Sequence, residues 1–291
     1  MRVLLTGATG FTGRRAARRL VAAGHDVRCF VRASSDRAPL EGLEVEVRVG
    51  DLADEASIAR ALSGTDALVN VASIGFGHGP GIVRAAERAG VGRAVFFSTT
   101  AIFTSLPAAS RAVRLLAEEA IRRSSLDWTI LRPTMIYGGP GDRNVERLLG
   151  LVSRFRVLPT AGRGESRIQP VFVDDLGDAV PAVLGSRKTS RRAYSLPGRT
   201  AVTIREFVSA AARALGRRTR FVAVPEAIAV AGARIYERIA PRPRIRAEQV
   251  LRFLEHKDFA WDAAARDFGY APRDIEAGLA IEVARIRGEE A

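Results

Sequence analysis

The first thirteen residues, MRVLLTGATGFTG, constrain the fold more than any other stretch of the chain. Residues 2–6 are an apolar, strand-like run, and glycines follow at Gly7, Gly10 and Gly13. A long helical pattern rich in Ala, Leu and Arg begins at the last of these glycines. A strand, a glycine-rich turn and a helix in this order form the setting in which such glycines bind a dinucleotide. We therefore expect a dinucleotide site at this turn.

Each glycine of the turn has a separate expected role. Gly7 permits the sharp turn, Gly10 lets the backbone approach a pyrophosphate, and Gly13 lets the helix pack closely on the strand. The backbone N–H groups of the first helical turn then face the anion. The remaining residues expected at this phosphate site are Thr9, Phe11 and Thr12. The alternative interpretation is a tight turn that binds no ligand.

The basic composition of the chain raises the question of a nucleic-acid partner, because the net charge is +13. Only Lys188 and Lys257 are lysines, and the arginines are spread over the whole chain. The sequence has no basic tract interleaved with aromatic residues, so nucleic-acid binding through the net charge is a third and less favoured interpretation. No apolar run is long enough to cross a membrane, and we expect no signal peptide. The single cysteine, Cys29, lies in an apolar run, which favours a cytoplasmic protein.

Strand and helix patterns alternate through the first half of the chain. The predicted strands are 2–6, 26–31, 43–49, 67–71, 94–98 and 128–131, and the predicted helices between them are 54–63, 80–89 and 108–124. Such alternation implies right-handed crossovers and a parallel sheet with helices on both faces. The predicted fold class is therefore α/β, with a doubly wound parallel sheet.

The alternation weakens after Pro133. Loops are predicted at 138–144 and 159–166 and a short strand at 171–173, and the predicted helices are 145–155, 174–184, 203–215, 226–240, 247–255 and 274–287. We expect residues 1–137 to form a dinucleotide-binding domain that is completed by about 168–185. Residues 138–167 and 186–291 are expected to form a smaller, mainly helical substrate lobe.

The end of the second predicted strand indicates which dinucleotide binds. In dinucleotide folds an acidic residue there binds the ribose 2′-hydroxyl, whereas an arginine accommodates a 2′-phosphate. This position holds Arg32, followed by Ser34 and Ser35, and the nearest acid is Asp36. The expected cofactor is NADP(H), with NAD less favoured. A solvated arginine in a polar loop is the alternative interpretation.

Five motifs occur in a recognisable order along the chain. They are TGATGFTG (6–13), VGDLAD (49–54), VFFSTTAIF (95–103), WTILRPTMIYG (128–138) and QPVFVDDL (169–176). Together they resemble the extended and atypical short-chain dehydrogenase/reductases, in particular the NAD-dependent epimerase/dehydratase-like group. This resemblance covers nearly the whole chain and implies a Rossmann domain of about seven strands with a C-terminal substrate lobe.

The resemblance also implies roles for particular residues. Asp51 and Leu52 would contact adenine, and Val71 and Ala72 would line the cofactor cleft. Thr100 would occupy the place of the catalytic Ser or Thr of the family. The residues that would lie beside the nicotinamide are Arg132, Pro133 and Tyr137.

The chain departs from the family at its catalytic Tyr-x-x-x-Lys pair, in which the lysine lowers the tyrosine pKa. The four tyrosines, Tyr137, Tyr194, Tyr236 and Tyr270, are followed four residues later by Gly141, Gly198, Ala240 and Asp274. Alignment on the long helix puts Ser110 at the tyrosine place and Arg114 at the lysine place. Serine is a poor acid or base without an activating partner. Arg114 could still bind the cofactor ribose.

Two classes of function follow from these features. The first is an NADP(H)-dependent oxidoreductase or epimerase/dehydratase-like enzyme that acts on a carbonyl or alcohol carbon of a small molecule. In it Thr100 would bind the substrate oxygen, and Tyr137 or water would supply the proton. The second is a non-catalytic NAD(P)(H)-binding sensor or scaffold, similar to the NmrA-type regulators, with a protein partner. A homodimer is compatible with both.

Overall fold

The computed structural model describes residues 1–106, 109–142, 144–240 and 247–289. Its first half alternates between strands and helices, as the sequence predicts. The elements are β1 (Arg2–Thr6), α1 (Gly13–Ala22), β2 (Asp26–Val31), β3 (Val45–Val49), α2 (Glu55–Leu62), β4 (Ala67–Asn70), α3 (Gly79–Arg88), β5 (Arg93–Phe97), α4 (Ala109–Arg123) and β6 (Trp128–Pro133).

The second half is mainly helical, with short strands between the helices. Its elements are β7 (Ile136–Tyr137), α5 (Val145–Arg154), β8 (Val157–Ala161), β9 (Arg167–Ile168), β10 (Val171–Phe172), α6 (Val173–Gly185), β11 (Arg192–Leu196), β12 (Val202–Thr203), α7 (Ile204–Ala214), β13 (Arg220–Val224), α8 (Glu226–Ile239), α9 (Ala247–Leu254), α10 (Asp262–Phe268) and α11 (Ile275–Arg287).

Seven strands form one sheet in the order β11-β6-β5-β4-β1-β2-β3, and every pair of neighbours is parallel. This confirms the predicted doubly wound α/β fold. The strand order reverses between β1 and β4, because the chain runs outward from β1 in both directions. In open parallel sheets ligands bind at the carboxyl ends of the strands on either side of such a reversal.

Apolar side chains cover both faces of the sheet. One face packs against α1 and α6 through residues such as Leu20 and Val180, and the other packs against α2, α3 and α4 through residues such as Ile58, Ile82 and Ile121. Burial on both faces explains why the strands are continuous apolar runs rather than alternating ones. None of the helices in the described ranges is long and apolar enough to span a membrane.

A separate apolar core holds the second lobe together. It contains Phe172 of β10, Phe207 of α7 and Leu279 of α11, all of which are almost completely buried. Tyr137 of β7 belongs to the same core, and its ring makes an edge contact with Phe172 at 5.4 Å between centroids. The lobe therefore packs over the carboxyl end of β6 as a unit with its own core.

The structure differs from the sequence prediction mainly in the second half of the chain, where several short elements were not predicted. β8 occupies part of the loop predicted at 159–166, where it pairs with β13. β11 is the seventh strand of the main sheet, and α10 packs beside it, although both lie in the stretch expected to belong to the substrate lobe. These strands are short and partly exposed, so their apolar pattern is weak and only their pairing partners reveal them.

A buried ion pair fixes α4 against the sheet beside the lobe. Arg132 at the end of β6 donates from Nε to a carboxylate oxygen of Glu118 at 2.9 Å, and a second N–H binds the other oxygen. Both side chains are nearly inaccessible to solvent. The guanidinium also lies over the ring of Phe103. Arg132 therefore has a structural partner and does not line the cleft at this edge of the sheet, although the resemblance implied that it would lie beside the nicotinamide.

We expect Glu118→Ala to destabilise the protein by about 3–5 kcal/mol, because it leaves a buried guanidinium without its counter-charge. Urea unfolding would measure this change. Glu119→Ala on the exposed side of α4 is the matched control and should cost less than about 1 kcal/mol. Glu118→Gln, which keeps hydrogen-bond acceptance, should fall between them. Equal stability of Glu118→Ala and Glu119→Ala would contradict this role.

Candidate active site

In the glycine-rich turn between β1 and α1, two glycines lie so close to other backbone atoms that a side chain with a Cβ would clash. Gly7 has φ = +70°, and a Cβ there would lie 2.7 Å from the backbone nitrogen of Ala72. A Cβ on Gly13 would lie 1.9 Å from the carbonyl oxygen of Gly7. Gly10 donates its N–H to Gly7 at 2.9 Å and is exposed to solvent. The turn is thus packed on one side and open on the other.

The amino end of α1 is suited to a negatively charged ligand. Its first turn contains no acidic residue, and within the described residues the Thr12 side chain caps none of its N–H groups. Arg14 also lies there, with one guanidinium nitrogen buried and unpartnered among the described residues. Such an end attracts anions through its N–H groups and the helix dipole. The residues present therefore fit a dinucleotide pyrophosphate.

Arg15, unlike Arg14, is bound by other protein groups. Its guanidinium binds the carboxylate of Asp174 at 3.2 Å and the carbonyl oxygen of Phe11 at 3.0 Å. It therefore connects α1 to α6 and is not free to bind phosphate.

A buried polar pair below the turn was missed by sequence reasoning. The hydroxyl of Thr6 at the end of β1 donates to the side-chain oxygen of Asn70 at the end of β4, at 2.7 Å. The Asn70 amide then donates to the carbonyl of Ala72 at 2.9 Å. These bonds connect the two strands at the point of reversal and set the chain path through Val71 and Ala72. Single polar residues at strand ends gave no local pattern that could have revealed this pair.

The residues expected to contact the adenosine half of the cofactor follow β2 and β3. Arg32 and Ser34 are exposed and Ser35 is half-buried. The carboxylate of Asp36 accepts the N–H of Ala38 at 3.0 Å, so the nearest acid is engaged in its own turn. Arg32 is therefore the charged group available at the end of β2.

The two residues expected at adenine have different environments. Asp51 is exposed, and its carboxylate accepts the N–H of Ala53 at 2.9 Å. Leu52 packs partly buried against the core formed with α2 and α3. Their contact with adenine stays a prediction.

A cleft of about 340 Å³ lies at the carboxyl ends of β1, β4, β5 and β6. It brings together residues from distant parts of the sequence. Its lining includes Thr12, Val71, Ser98, Thr99, Ser110, Arg114, Pro133, Ile136 and Arg252. The cleft therefore extends from the glycine-rich turn to the polar face of α4.

Ser110 and Arg114 both line this cleft, one helical turn apart on α4. This is the face on which the resemblance implies a Tyr-Lys pair. Arg114 donates to the carbonyl oxygen of Ser110 at 3.2 Å. Partial burial and the nearby positive charge of Arg252 hold the pKa of Arg114 below its usual value. Arg114 thus presents a partly desolvated positive charge to the cleft.

Thr100 lies behind the cleft wall, and its neighbours line the wall instead. Its side chain is 7% exposed and donates to the carbonyl oxygen of Pro133 at 3.3 Å. Ser98 and Thr99 face the cleft, and the hydroxyl of Ser98 is buried without a hydrogen-bond partner among the described residues. The expected role of Thr100 as the group that binds the substrate oxygen therefore does not match its position.

Tyr137 is also outside the cleft. Adjacent strand residues point to opposite faces, and Ile136 takes the face that lines the cleft. Tyr137 consequently points into the lobe core, where it is 1% exposed, and burial raises its pKa well above the usual value. Tyr137 was expected beside the nicotinamide, but the structure places its side chain outside the cleft. No tyrosine lines the cleft within the described ranges.

Comparison with known proteins supports a dinucleotide-binding role for this chain. Residues 7–151 match a protein family described as NAD(P)H-binding. A 2-alkyl-3-oxoalkanoate reductase of Stenotrophomonas maltophilia is 27% identical, over 96% of this chain and 97% of its own. A (4-alkanoyl-5-oxo-2,5-dihydrofuran-3-yl)methyl phosphate reductase of Streptomyces griseus is 32% identical, over 75% of this chain and 76% of its own. The chain belongs to this NAD(P)-binding family.

A solved structure extends the match to the whole fold. A nucleoside-diphosphate-sugar epimerase of Pseudomonas aeruginosa superposes with a TM-score of 0.79 at 21% identity, over 100% of this chain and 99% of its own. The resemblance to epimerase/dehydratase-like Rossmann proteins is thereby confirmed for the fold. In this chain Ser110 and Arg114 line the cleft from α4.

Gly13→Ala should weaken NADPH binding at least about tenfold, because its Cβ would displace the carbonyl of Gly7 and with it the turn. Fluorescence titration with NADPH would measure this affinity, and circular dichroism would show whether the fold is retained. Gly150→Ala in α5 is the matched control, since a Cβ there meets nothing within 4 Å. Unchanged NADPH affinity in a folded Gly13→Ala protein would refute the assignment of the turn.

Tyr137→Phe should leave NADPH affinity unchanged and should not alter the tyrosine titration near pH 10, where a free phenol ionises. The reason is that burial keeps this phenol protonated beyond that pH. Alkaline difference absorption near 295 nm, compared between the variant and the unmodified protein, would measure this. If the variant lacks one phenol that ionises near pH 10, then Tyr137 is accessible and its placement here is wrong.

Proposed function

We propose that the protein is an NADP(H)-dependent oxidoreductase that acts on a carbonyl or alcohol carbon of a small molecule without a catalytic tyrosine. One observation carries this proposal: Thr12 beside the glycine-rich turn and the Ser110–Arg114 pair line the same cleft. A cofactor seated on the turn would thus extend towards a polar, positively charged site. The two reductase relatives support a reduction rather than another reaction of the fold.

The choice of NADP(H) rests on the end of β2. Arg32 is exposed there, and a guanidinium recognises a phosphate through paired, charge-assisted hydrogen bonds. Ser34 and Ser35 add hydroxyl donors to the same loop. The nicotinamide would supply or accept the hydride at its C4 carbon.

The residues of the cleft could carry the rest of the chemistry. The Ser98 hydroxyl, which has no hydrogen-bond partner among the described residues, would together with Thr99 hold the substrate oxygen by hydrogen bonds. When the carbonyl carbon gains a hydride, negative charge develops on its oxygen, and the guanidinium of Arg114 would stabilise it. The proton that completes the alcohol would come from water, relayed by the Ser110 hydroxyl. In this scheme positive charge replaces the acidic phenol of the family.

The direct test is NADPH oxidation, followed by absorbance at 340 nm, with a panel of carbonyl compounds. A 3-oxoalkanoate is the first choice, because a relative named as a reductase of such compounds aligns along nearly its full length. We expect oxidation that falls strongly in Arg114→Met but little in Tyr137→Phe. Tight NADPH binding without oxidation of any compound would favour the second candidate, a non-catalytic sensor or scaffold. The absence of a cleft tyrosine within the described ranges is the observation that keeps this candidate open.

Arg32→Ala should weaken NADPH binding by about ten- to a hundredfold while leaving NADH binding nearly unchanged. The reason is that only NADPH carries the 2′-phosphate that the guanidinium would bind. Calorimetry with both nucleotides would measure the two affinities. Arg60→Ala on α2, with its side chain 73% exposed, removes the same charge elsewhere and serves as the control. Parallel losses of NADH and NADPH affinity would argue against the assignment of Arg32.

A further inference from the structure

The substrate end of the cleft contains two arginines that come from different lobes. Arg114 lies on α4 of the dinucleotide-binding domain, and Arg252 lies on α9 of the second lobe. Both line the cleft together with Ser110. The sequence provides no signal for this pairing, because α9 has the pattern of an ordinary amphipathic helix.

The positive charge of Arg114 is not balanced by protein groups. Its guanidinium contacts the carbonyl oxygen of Ser110 and packs against the backbone at Gly75, where a Cβ would lie 2.9 Å from its central carbon. Among the described residues no carboxylate pairs with it. The neighbouring charge that acts on it is the like charge of Arg252, which together with burial depresses the pKa of Arg114.

The positive charge of Arg252 is only partly balanced by a carboxylate. One of its terminal nitrogens binds the exposed carboxylate of Glu248 at 2.6 Å, one turn earlier on α9. Its Nε–H is buried and has no hydrogen-bond partner within the described ranges. A buried N–H without a partner costs about 1–3 kcal/mol. The guanidinium of this cleft-lining residue therefore has an N–H donor that no described residue accepts.

The other charged groups nearby do not neutralise this pair. Glu255 accepts hydrogen bonds from Thr104 and from Ser105, so its carboxylate is engaged with the loop after β5. Lys257 donates to the carbonyl oxygen of Arg252 at 2.7 Å, and its own charge is paired with Glu255 at 4.0 Å. With Glu248 beside Arg252 and Glu255 beside Lys257, the charge of Arg114 is the one that no described carboxylate balances.

We propose that Arg252, together with Arg114, binds an anionic group of the substrate, a carboxylate or a phosphate. This inference rests on the proposed function, because it names the class of carbonyl compound that the same cleft takes. Two guanidinium groups that repel one another across a partly desolvated cleft are stabilised when an anion lies between them. Their planar N–H donors suit the paired oxygens of a carboxylate or phosphate.

In the proposed binding mode the anions of the cofactor would lie elsewhere. The amino end of α1 would hold the pyrophosphate, and Arg32 after β2 would hold the 2′-phosphate. Arg252 comes from the lobe that covers the other end of the cleft. The anion at the arginine pair is therefore carried by the substrate.

Calorimetric titration of the NADP⁺-loaded protein tests this site without requiring turnover. The probes are hexanoate, its neutral analogue hexanamide, and inorganic phosphate. We expect hexanoate or phosphate to bind and hexanamide not to bind. The dissociation constant of the bound anion should rise about tenfold in Arg252→Gln and less in Arg252→Lys, which retains the charge. Arg238→Gln on α8, which removes an exposed charge elsewhere, should change nothing.

The outcomes separate this inference from the proposed function. Anion binding that depends on Arg252, without oxidation of NADPH by any carbonyl compound, supports the site and contradicts the function. Reduction of neutral ketones with no effect of Arg252→Gln supports the function and overturns the site. Equal binding of hexanoate and hexanamide, or equal losses in Arg252→Gln and Arg238→Gln, also overturns the site. Binding of hexanoate alone or of phosphate alone identifies which anion the arginines accept.

Discussion

The close backbone contact at the strand reversal is the constraint on which the rest of the structure depends. Gly13 packs on the carbonyl of Gly7, and Gly7 packs on the backbone of Ala72, with no room for a Cβ at either glycine. The buried pair of Thr6 and Asn70 connects the same strands from below. These contacts direct the amino end of α1 at the carboxyl edge of the sheet, where the cleft opens.

The structure separates the part that binds a dinucleotide from the part that would do chemistry. The first has the glycine turn, an amino end of α1 without acidic residues, and an exposed arginine after β2. The second has hydroxyls and positive charge and, within the described residues, no tyrosine. A guanidinium can stabilise negative charge on a substrate oxygen, but it does not donate protons near neutral pH. In the proposed reaction the proton would therefore come from water, and the two arginines would bind a substrate that is itself an anion.

Much of the first half of the fold was predictable, because apolar strands and amphipathic helices alternate there with clear periods. The spacing of Ser110 and Arg114 on one helix face was predictable for the same reason. Tyr137 and Thr100 were placed on the wrong side of their backbones, since a motif locates a residue along the chain but not the face on which its side chain emerges. Arg252 was missed because its partner in the cleft is far away in sequence.

The sequence by itself determined the class of fold and the kind of ligand, because both depend on local order. The alternation of strands and helices determines the fold class, and the strand, three spaced glycines and helix at the start of the chain indicate the dinucleotide. Only the tertiary structure decided which polar groups meet in the cleft. The backbone path after β5 and through β7 puts Ser98, Thr99 and Ile136 on the cleft, and leaves Thr100 and Tyr137 off it. The presence of Arg252 in the same cleft as Arg114 depends on how α9 packs at the carboxyl edge of the sheet. Such long-range packing brings together residues that are far apart in the sequence, so no local sequence pattern predicts their contact.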